Sequence, residues 1–572
     1  MALDEPRPAS NMFGSGDLAR LRVPSAERVA RKPRPSLLPG FAWFASIAVI
    51  AMAGGWWLVY VAQIFVGDAM ARVVQAKSVV LSRDPHLAAV GFVWPPLPSI
   101  AEVPFVLALQ KFTAPIFAGQ IVSALFAGVL AAAMWGQLKR SGAPTRWSIV
   151  LTLTVMLNPL VFYSSINGMT EVIFLFFAVA AAGALSSWDP RESKGLLVAG
   201  LLLGASFFVR YEAVAFAAAG VLSVVVMQWR TPRWRERVGA VIIAFVAPVS
   251  YMVILWIVWT WLFLGSPLAF LTGAGSNLYF TESIRLGQNP VLSPLYGDAV
   301  ATVSWVLVYL VREFPPFVPL LAAALVVSLV KRDRGIFVLV VFAGVGPAFL
   351  ALQVYRGQLL SWSRFWIYAI PFSAILFTAI VRDWRPRRRN TAYAVAAFIF
   401  AVSGLSTLDI MGDTIRSAPD ENTFARAVRS AGFNTQYGAE YAAIREATET
   451  LDEYMDEEPE ALALVDGLVH GGVLLFTRHT GKVAFDADRD FSVLTDQPVD
   501  RVRFILIPGR QPSGAVAQTP LVEHFATLHA RGASWAEYLE EFPAYSNSRL
   551  YRVYTSQDLA EGKDGVPPPN PR

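Results

Sequence analysis

The chain of 572 residues contains no cysteine and few charged side chains. The lack of cysteine excludes disulfide bonds and thiolate metal sites. Asp, Glu, Lys and Arg together make up 16% of the residues, against 55% for the hydrophobic ones. A typical soluble domain carries about 25% charged residues. The chain therefore has too much apolar surface for an ordinary soluble domain, and its composition is that of a polytopic membrane protein.

Lysine and arginine are concentrated in short loops between apolar segments. The loops RTPRWRER at 230–237 and RDWRPRRRN at 382–390 are the most basic. Such loops stay on the cytoplasmic side of a membrane. The net charge of +5 therefore gives no support for nucleic-acid binding. The pattern predicts a multi-pass plasma-membrane protein with a cytoplasmic N-terminus.

Long apolar runs predict about eleven transmembrane helices. About 20 apolar residues are needed to cross the hydrocarbon core of a bilayer. One run is interrupted by REFPP at 312–316, where proline removes a helix donor. The predicted spans lie near 41–66, 113–137, 147–165, 170–187, 195–210, 213–229, 238–264, 299–330, 335–352, 364–381 and 391–409.

Composition divides the chain into four regions. Residues 1–40 are rich in Pro, Arg and Ser, which predicts a disordered cytoplasmic tail. Residues 41–410 form the predicted all-α transmembrane domain, with a first outer loop at 67–112. From residue 411 the hydropathy falls, and we predict an extracytoplasmic soluble α/β domain at 411–560. A disordered tail at 561–572 would follow it.

The terminal domain carries both helix and strand patterns. Residues 438–460 have helical spacing and an acidic end. Four apolar runs have the composition of strands. These runs are ALALVDGL at 461–468, VLLFT at 473–477, RFILIP at 503–508 and RLYRVYT at 549–555.

The first outer loop carries the most suggestive polar residues. Asp68 stands where the first span leaves the bilayer, and Asp84 and His86 follow in the same loop. A carboxylate at a membrane surface is unfavourable unless it is paired, solvated or used. A solvated cap would explain an isolated Asp, but the second carboxylate and the histidine favour function. For His86 alone, an interfacial polar side chain is an equal alternative.

Other charged residues interrupt or flank apolar runs. Glu171 opens a helix, where the helix dipole also favours an acid. Arg210 and Glu212 lie inside an apolar run, and each such charge costs about 2.5 to 3.5 kcal/mol unless it is partnered or hydrated. Arg356 and Arg364 bracket the last long outer connection. Arginine binds phosphate well, although an interfacial arginine also snorkels to the membrane surface.

Five segments carry a resemblance to a known family, and they are GDAMAR at 67–72, SRDPHLAAVGFVWPPLP at 82–98, NGMTEVIFLF at 167–176, FFVRYEA at 207–213 and SRFWIYAIPF at 363–372. They resemble segments of the GT-C superfamily of integral-membrane glycosyltransferases, which includes protein mannosyltransferases, aminoarabinose transferases and actinobacterial arabinosyl- and mannosyltransferases. The resemblance covers roughly residues 41–410 and leaves out the terminal domain.

The resemblance implies a polyprenyl-phosphate sugar donor, inversion at the anomeric carbon and a catalytic aspartate at Asp68. It also implies that Arg210 or Arg364 faces the donor phosphate. Many members of the superfamily have Asp followed directly by Glu, whereas Ala69 follows Asp68 here. Asp84 is then the best candidate for a second carboxylate, and Asp68 and Asp84 are the candidate ligands of a divalent cation. Oxygen ligands suit Mg²⁺ or Mn²⁺.

The expected function is transfer of a hexosyl or pentosyl group, such as mannose, to an acceptor hydroxyl on the outer face. The acceptor would be a cell-envelope glycan, a lipid or a protein. Asp68 would take the hydroxyl proton, while His86, Glu171, Arg210, Glu212, Arg356 and Arg364 would bind substrate. A strong acid is not needed, because the phosphate is already a good leaving group. The terminal domain would bind or position the acceptor.

Two other classes of protein share part of this pattern. A lipid-linked oligosaccharide flippase or a polysaccharide exporter would also be polytopic, with arginine in its cavity. The sequence shows no internal repeat, however, and many secondary transporters contain one. A non-catalytic scaffold whose outer domain binds cell-wall polymers is a third possibility, and it would tolerate the loss of Asp68.

Overall fold

Helices form most of the protein, and a small sheet lies near its C-terminal end. The computed structural model describes residues 38–92, 94–112, 115–189, 193–229, 234–272, 281–430, 436–509 and 519–565. Most of the predicted N-terminal tail, the start of the basic loop at 230–233 and the end of the C-terminal tail at 566–572 lie outside the described residues. Residues Gly40–Arg572 form one compact unit.

The described helices are numbered here in chain order. The α-helices are α1 (Leu38–Tyr60), α2 (Gly67–Leu81), α3 (Leu97–Leu109), α4 (Ala118–Arg140), α5 (Thr145–Met156), α6 (Pro159–Ile166), α7 (Glu171–Ser186), α8 (Lys194–Phe207), α9 (Ala213–Gln228), α10 (Trp234–Leu264), α11 (Ala269–Thr272), α12 (Glu282–Arg285), α13 (Ala299–Glu313), α14 (Phe317–Lys331), α15 (Arg334–Tyr355), α16 (Ala369–Val381), α17 (Pro386–Met411), α18 (Pro419–Ser430), α19 (Gln436–Glu457), α20 (Gly471–Phe476), α21 (Phe491–Asp496), α22 (Pro520–His524), α23 (Leu528–Arg531) and α24 (Ser556–Ala560). Short 3₁₀ helices occur at Leu87–Val90, Gln110–Phe112, Pro115–Phe117, Ser293–Leu295, Ser363–Trp366 and Thr480–Lys482.

The long apolar helices agree with a multi-pass membrane protein. Among the described residues, 6 helices are long and apolar enough to cross a bilayer, and up to 8 spans result if each of two bent pairs is one span. Helices α7, α8 and α9 are apolar but have only 16, 14 and 16 residues. Such helices are about 21 to 24 Å long, short of the roughly 30 Å hydrocarbon core. The predicted number of about eleven crossings stays a prediction.

Proline explains both bends. Helices α13 and α14 meet at an angle of 105°, with Pro315 and Pro316 between them. This confirms the interruption predicted at REFPP. Helices α5 and α6 meet at 69°, because Pro159 starts the second helix and the Asn158 side chain accepts a hydrogen bond from the backbone N–H of Leu160. A proline has no N–H to continue the preceding helix.

The segment predicted as the first outer loop is largely helical. It contains α2, the 3₁₀ turn at Leu87–Val90 and α3. Asp68 lies in the first turn of α2. A carboxylate is favoured there, because the amino end of a helix carries partial positive charge.

The segment after the last long helix returns to the helical core. Helix α18 follows α17 and packs the apolar residues Phe424, Ala425 and Ala427 into the same buried cluster as the long helices. The Phe424 ring stacks on that of Tyr163, with 4.6 Å between the centroids. The sequence assigned this segment to the terminal domain, but its amino end lies against the transmembrane helices.

The terminal domain contains a five-stranded sheet in the order β2-β1-β3-β5-β4. Strand β1 pairs in parallel with β2 and β3, and β5 pairs antiparallel with β3 and β4. The strands are β1 (Ala463–Val465), β2 (Val483–Ala484), β3 (Phe504–Ile507), β4 (Ala536–Phe542) and β5 (Ser548–Val553).

Three of the four predicted strands and the predicted helix are confirmed. The runs at 461–468, 503–508 and 549–555 contain β1, β3 and β5, and residues 438–460 largely coincide with α19. The strand predicted at VLLFT is wrong, because residues Gly471–Phe476 form helix α20. A short apolar run can be a buried strand or a buried helical turn, and periodicity alone does not distinguish them.

Candidate active site

Asp68 faces an arginine that is distant in sequence. The Nη2 atom of Arg364 donates a hydrogen bond to Oδ2 of Asp68 at 3.1 Å. The Arg364 side chain is buried, with 6% exposed, whereas 40% of the Asp68 side chain is exposed. The two residues are 296 positions apart in the sequence. Two of the predicted site residues are therefore brought together, and the carboxylate has an open side.

Two further carboxylates surround the Arg364 guanidinium. Its Nε atom lies 3.9 Å from Oε1 of Glu171, and its Nη1 atom lies 3.9 Å from Oδ2 of Asp420. The guanidinium also stacks on the Trp362 ring, 4.3 Å from the centroid. Burial raises the pKa of Asp420, and Arg364 opposes this rise. Arg364 is thus the centre of a cluster of carboxylates that come from three different parts of the chain.

Arg210 extends the cluster on its far side. It donates from Nη1 to Oε1 of Glu171 at 2.8 Å and from Nε to Oε2 of Glu212 at 2.6 Å. The Tyr368 hydroxyl donates to the same Glu212 oxygen at 2.9 Å. Glu171 therefore lies between Arg210 and Arg364. Arg210 and Glu212, the charged pair inside the apolar run at 207–213, thus both have partners. This agrees with the high free energy of an isolated charge in a membrane.

Glu421 fixes the backbone that carries Arg364. Its two carboxylate oxygens accept hydrogen bonds from the backbone N–H groups of Ser363 at 3.2 Å and Arg364 at 2.9 Å. The N–H of Ala418 donates to it at 2.8 Å. The Ser363 hydroxyl in turn donates to Glu313 at 2.7 Å. The 3₁₀ turn that presents Arg364 is thus held by a carboxylate from α18.

Arg72 adds another guanidinium near Asp68, and this one is buried. It lies one helical turn after Asp68 on α2, a spacing that places both residues on the same helix face. Its guanidinium is 5.3 Å from the centroid of the Trp94 ring, and Nη1 donates to the Pro95 carbonyl at 3.4 Å. Only 5% of the residue is exposed. Sequence analysis missed Arg72, although the Asp68 spacing identifies it once 67–81 is known to be helical.

Several buried polar atoms of the cluster lack a hydrogen-bond partner within the described part of the chain. They are Nε of Arg72, Nε and Nη1 of Arg364 and Oε2 of Glu171. Buried donors of a charged group are normally satisfied, and leaving them unpaired is unfavourable. Unpaired guanidinium donors suit an anionic ligand with several acceptor oxygens, such as a phosphate. The site thus combines a partly exposed carboxylate with cations suited to an anion.

Asp84 and His86 lie away from this cluster. Helix α2 separates Asp84 from Asp68, and its 15 residues are about 22 Å long. The Asp84 carboxylate accepts hydrogen bonds from the backbone N–H of Arg489 at 2.9 Å and from its guanidinium. These bonds hold the pKa of Asp84 well below its usual range. His86 Nδ1 is 2.7 Å from the Asp84 carbonyl oxygen.

Arg356 also lies outside the cluster. It follows the end of α15 and is exposed, and no described contact joins its side chain to Asp68 or Arg364. Arg364 is therefore the member of this predicted pair that reaches the site.

The residues predicted to hold a metal do not fit such a site. Asp68 is bound by Arg364, and Asp84 is bound by Arg489 at the other end of α2. Among the described residues, no group of three or more His, Asp or Glu side chains is arranged as a metal site. Asp68 and Asp84 are therefore not placed to bind one cation together.

Three ion pairs join Arg83 and Asp84, just after α2, to residues 488–490 of the C-terminal region, and we call them the clasp. Arg83 donates to Asp488 at 3.0 Å and to Asp490 at 3.1 Å, while Arg489, between these two, binds Asp84. Nearby, Lys77 donates to the last carbonyls of α20, at 2.8 Å for Leu474 and 3.2 Å for Leu475. Burial lowers the pKa of Lys77 to about 8. The C-terminal region that contains the sheet therefore contacts α2, the helix that carries Asp68.

We expect charge reversal to test the clasp. Asp84→Arg places like charges together and should increase hydrogen exchange of amides 67–81 by about fivefold, since an exposed ion pair contributes little. The double variant Asp84→Arg/Arg489→Asp restores opposite charges and should return exchange towards the wild-type rate. Mass spectrometry of the exchanged protein measures both effects. If the double variant exchanges faster than either single variant, the clasp does not hold the helix.

Comparison with known proteins finds similar solved structures but no similar sequences. No protein-family model and no curated protein matches the sequence. The structure is similar to ArnT from Cupriavidus metallidurans in the apo state, with a TM-score of 0.50, 12% sequence identity, and coverage of 90% of this chain and 98% of that one.

Two structures from Archaeoglobus fulgidus also resemble the chain. One is an oligosaccharyltransferase in complex with Zn and sulfate, with a TM-score of 0.44, 14% identity and coverage of 80% of this chain and 67% of that one. The other is the oligosaccharyltransferase AglB with an inhibitory peptide and a dolichol-phosphate, with a TM-score of 0.43, 12% identity and coverage of 81% and 69%. At these identities a likeness concerns the fold, and the match to ArnT spans almost the whole of both chains. The chain thus shares the fold of the solved ArnT structure.

Proposed function

We propose that this protein is a membrane glycosyltransferase that moves a sugar from a polyprenyl-phosphate donor to an acceptor hydroxyl on the outer face of the plasma membrane. The observation that carries the proposal is the pairing of the partly exposed Asp68 carboxylate with Arg364, whose Nε and Nη1 atoms make no hydrogen bond in the described chain. A base beside a cation with free hydrogen-bond donors is what this transfer requires.

The reaction needs one bond to form and one to break. The acceptor oxygen attacks the anomeric carbon while Asp68 takes the hydroxyl proton. The bond between that carbon and the phosphate oxygen breaks, and the electron pair leaves with the polyprenyl phosphate. Attack from the face opposite the leaving group inverts the anomeric configuration.

Negative charge grows on the phosphate as this bond breaks. Arginine side chains fixed at that place stabilise the charge without reorganising. Arg364 and Arg72 are both buried and both have unpartnered donors, and Arg210 holds Glu171 beside them. The carboxylates around Arg364 keep its side chain in place when no phosphate is bound.

Transfer from defined donors tests the proposal. Purified protein is incubated with labelled polyprenyl-phosphate mannose, arabinose, aminoarabinose and glucose, together with glycan, lipid and peptide acceptors. We expect transfer from one donor class, with a product whose anomeric configuration, measured by NMR, is opposite to that of the donor. Retention of configuration contradicts the single displacement at Asp68. Movement of a lipid-linked sugar across proteoliposomes without any transfer supports a transporter instead.

A further inference from the structure

The site around Arg364 holds more acidic than basic side chains. Its guanidinium groups are those of Arg72, Arg210 and Arg364. The carboxyl groups in contact with Arg210, with the Arg364 side chain or with the Arg364 backbone are those of Asp68, Glu171, Glu212, Asp420 and Glu421. If all these acids were ionised, the site would be negatively charged before any substrate entered. A phosphate adds further negative charge, and like charges repel strongly in a buried site. A site that binds phosphate therefore needs at least one of these acids in its neutral form.

Three of the acids have a guanidinium partner of their own. Glu171 and Glu212 accept hydrogen bonds from Arg210 at 2.8 and 2.6 Å. Asp68 accepts one from Arg364 at 3.1 Å. A hydrogen bond from a cation favours the ionised form of a carboxyl group. The neutral acid is therefore to be sought in the other two, which are neighbours in the first turn of α18.

Asp420 and Glu421 form this acidic pair, and both are buried. Glu421 accepts hydrogen bonds from three backbone N–H groups, which favour its ionised form. Oδ2 of Asp420 accepts from the Tyr163 hydroxyl at 2.8 Å and lies 3.9 Å from Nη1 of Arg364, which is beyond hydrogen-bond distance. A proton on Oδ1 of Asp420 leaves the Tyr163 bond in place. Asp420 is therefore the member of the pair that is less stabilised as an anion.

The pair changes its charge close to neutral pH. Burial and the adjacent Asp420 raise the pKa of Glu421 to about 8, and burial also raises the pKa of Asp420. Because the two acids are neighbours, this titration belongs to the pair and not to either residue. The charged and titratable groups that face the pair from the elements around it are Asp68 of α2, Tyr163 of α6, Tyr309 and Glu313 of α13, Arg364 of the 3₁₀ turn and Tyr441 of α19. Among them, Arg364 supplies the positive charge.

We propose that the donor phosphate binds at Nε and Nη1 of Arg364 only while Asp420 holds a proton, which makes Asp420 a further phosphate-binding residue. A phosphate oxygen bonded to Nη1 lies close to Asp420, because Oδ2 of Asp420 is 3.9 Å from the same nitrogen. An ionised Asp420 repels this oxygen, whereas a neutral Asp420 does not and has an O–H to donate. Above the pKa of the pair, the site takes one proton from solvent when the phosphate binds and returns it when the phosphate leaves. This inference rests on the proposed function and adds a proton to its donor site.

Calorimetry tests the proposal with farnesyl methyl phosphate as the probe. This phosphodiester keeps a single negative charge over the pH range used, and it carries no sugar to transfer. Titrations in two buffers of different ionisation enthalpy give the number of protons taken up on binding. We expect the wild type to take up about one proton per probe at about pH 9, where the free pair is ionised, and none at about pH 6. This measurement needs no variant.

Asp420→Asn makes the position neutral at every pH, and its amide oxygen still accepts from Tyr163. We expect this variant to take up no proton and to bind the probe about tenfold more tightly than the wild type at about pH 9. Damage to the fold would weaken binding instead. Asp413→Asn is the matched control, because Asp413 lies in the same connection between α17 and α18 but pairs with Arg416 at 2.6 Å. It should bind the probe and take up protons like the wild type.

The outcomes separate this inference from the proposed function. Binding without proton uptake at about pH 9, or equal uptake in Asp420→Asn, overturns the role of Asp420 even if sugar is transferred. Proton uptake that depends on Asp420, without transfer from any donor, leaves the phosphate site in place and removes the glycosyltransferase. If the probe binds at no pH, the inference is overturned, while the transfer assay still decides the function.

Discussion

Replacing Asp68 by Asn is expected to lower kcat for sugar transfer by about 10²- to 10⁴-fold, the usual contribution of a general base. Asn has the shape of Asp but cannot take the acceptor proton. The donor KM should change little if the arginines bind the phosphate, as proposed. The fold should survive, since the Asp68 side chain is 40% exposed and Arg364 keeps Glu171 and Asp420 nearby. Steady-state kinetics with labelled donor, together with thermal unfolding of both proteins, measures these effects.

Asp84→Asn is the matched control for this experiment. It is the same substitution in the same outer segment, but Asp84 binds Arg489 at the other end of α2. We expect its kcat to stay within a fewfold of the wild type. Full activity in Asp68→Asn would remove Asp68 as the base. Equal losses in both variants would show that the substitutions act through the stability of the segment and not through the chemistry.

The long apolar helices and most of the strands could be predicted because hydropathy and periodicity are local properties, whereas α2 and α3 lie in a segment predicted as a loop. The interruption at REFPP follows from Pro315 and Pro316 alone. The prediction of a strand at VLLFT was wrong, because residues outside this run decide whether it forms a strand or a helix. Two glycines precede this run. Lys77 donates hydrogen bonds to the Leu474 and Leu475 carbonyls at the end of the resulting helix, and it is 397 positions away from Leu474 in the sequence.

Part of the site could also be predicted, because a charged side chain inside a membrane needs a partner or water. The pair Arg210 and Glu212 had to be partnered or hydrated, and Glu171 and Tyr368 supply the partners. What the sequence could not show is which distant residues meet. Asp420 and Glu421 follow the last long helix in a polar stretch, where no pattern distinguishes a buried carboxylate from a solvated one.

Asp84 shows how sequence proximity misleads. It was the nearest second carboxylate in the outer segment, and an extended loop could have brought it back to Asp68. Because residues 67–81 form a helix about 22 Å long, Asp68 lies in its first turn and Asp84 lies beyond its other end. Besides Asp68, the carboxylates near Arg364 are those of Glu171 and of Asp420 in α18, and only Glu171 was a predicted site residue. The place of Asp420 beside Arg364 depends on tertiary packing and not on spacing.

Replacing Arg364 by Lys is expected to lower kcat/KM for the donor by about a hundredfold, a loss typical of a truncated buried charge pair. Lysine keeps the positive charge, so the carboxylates around it remain compensated. Lysine lacks the planar guanidinium group, however. In Arg364 this group donates to Asp68 from Nη2, and its Nε and Nη1 atoms stay available to a ligand. The loss should therefore appear in both kcat and the donor KM, measured with labelled polyprenyl-phosphate sugar.

Arg356→Lys provides the control, because Arg356 belongs to the same outer connection but is exposed and makes no described contact with the cluster. Its kinetics should match the wild type. An unchanged donor KM in Arg364→Lys would mean that Arg364 only orients Asp68, and the phosphate would then be bound by Arg72. The double variant Asp68→Asn/Arg364→Lys decides between these roles. If Arg364 binds phosphate, adding Arg364→Lys to Asp68→Asn weakens donor binding further, since the two residues act on different atoms of the substrate. If it only orients the base, the second substitution has no additional effect.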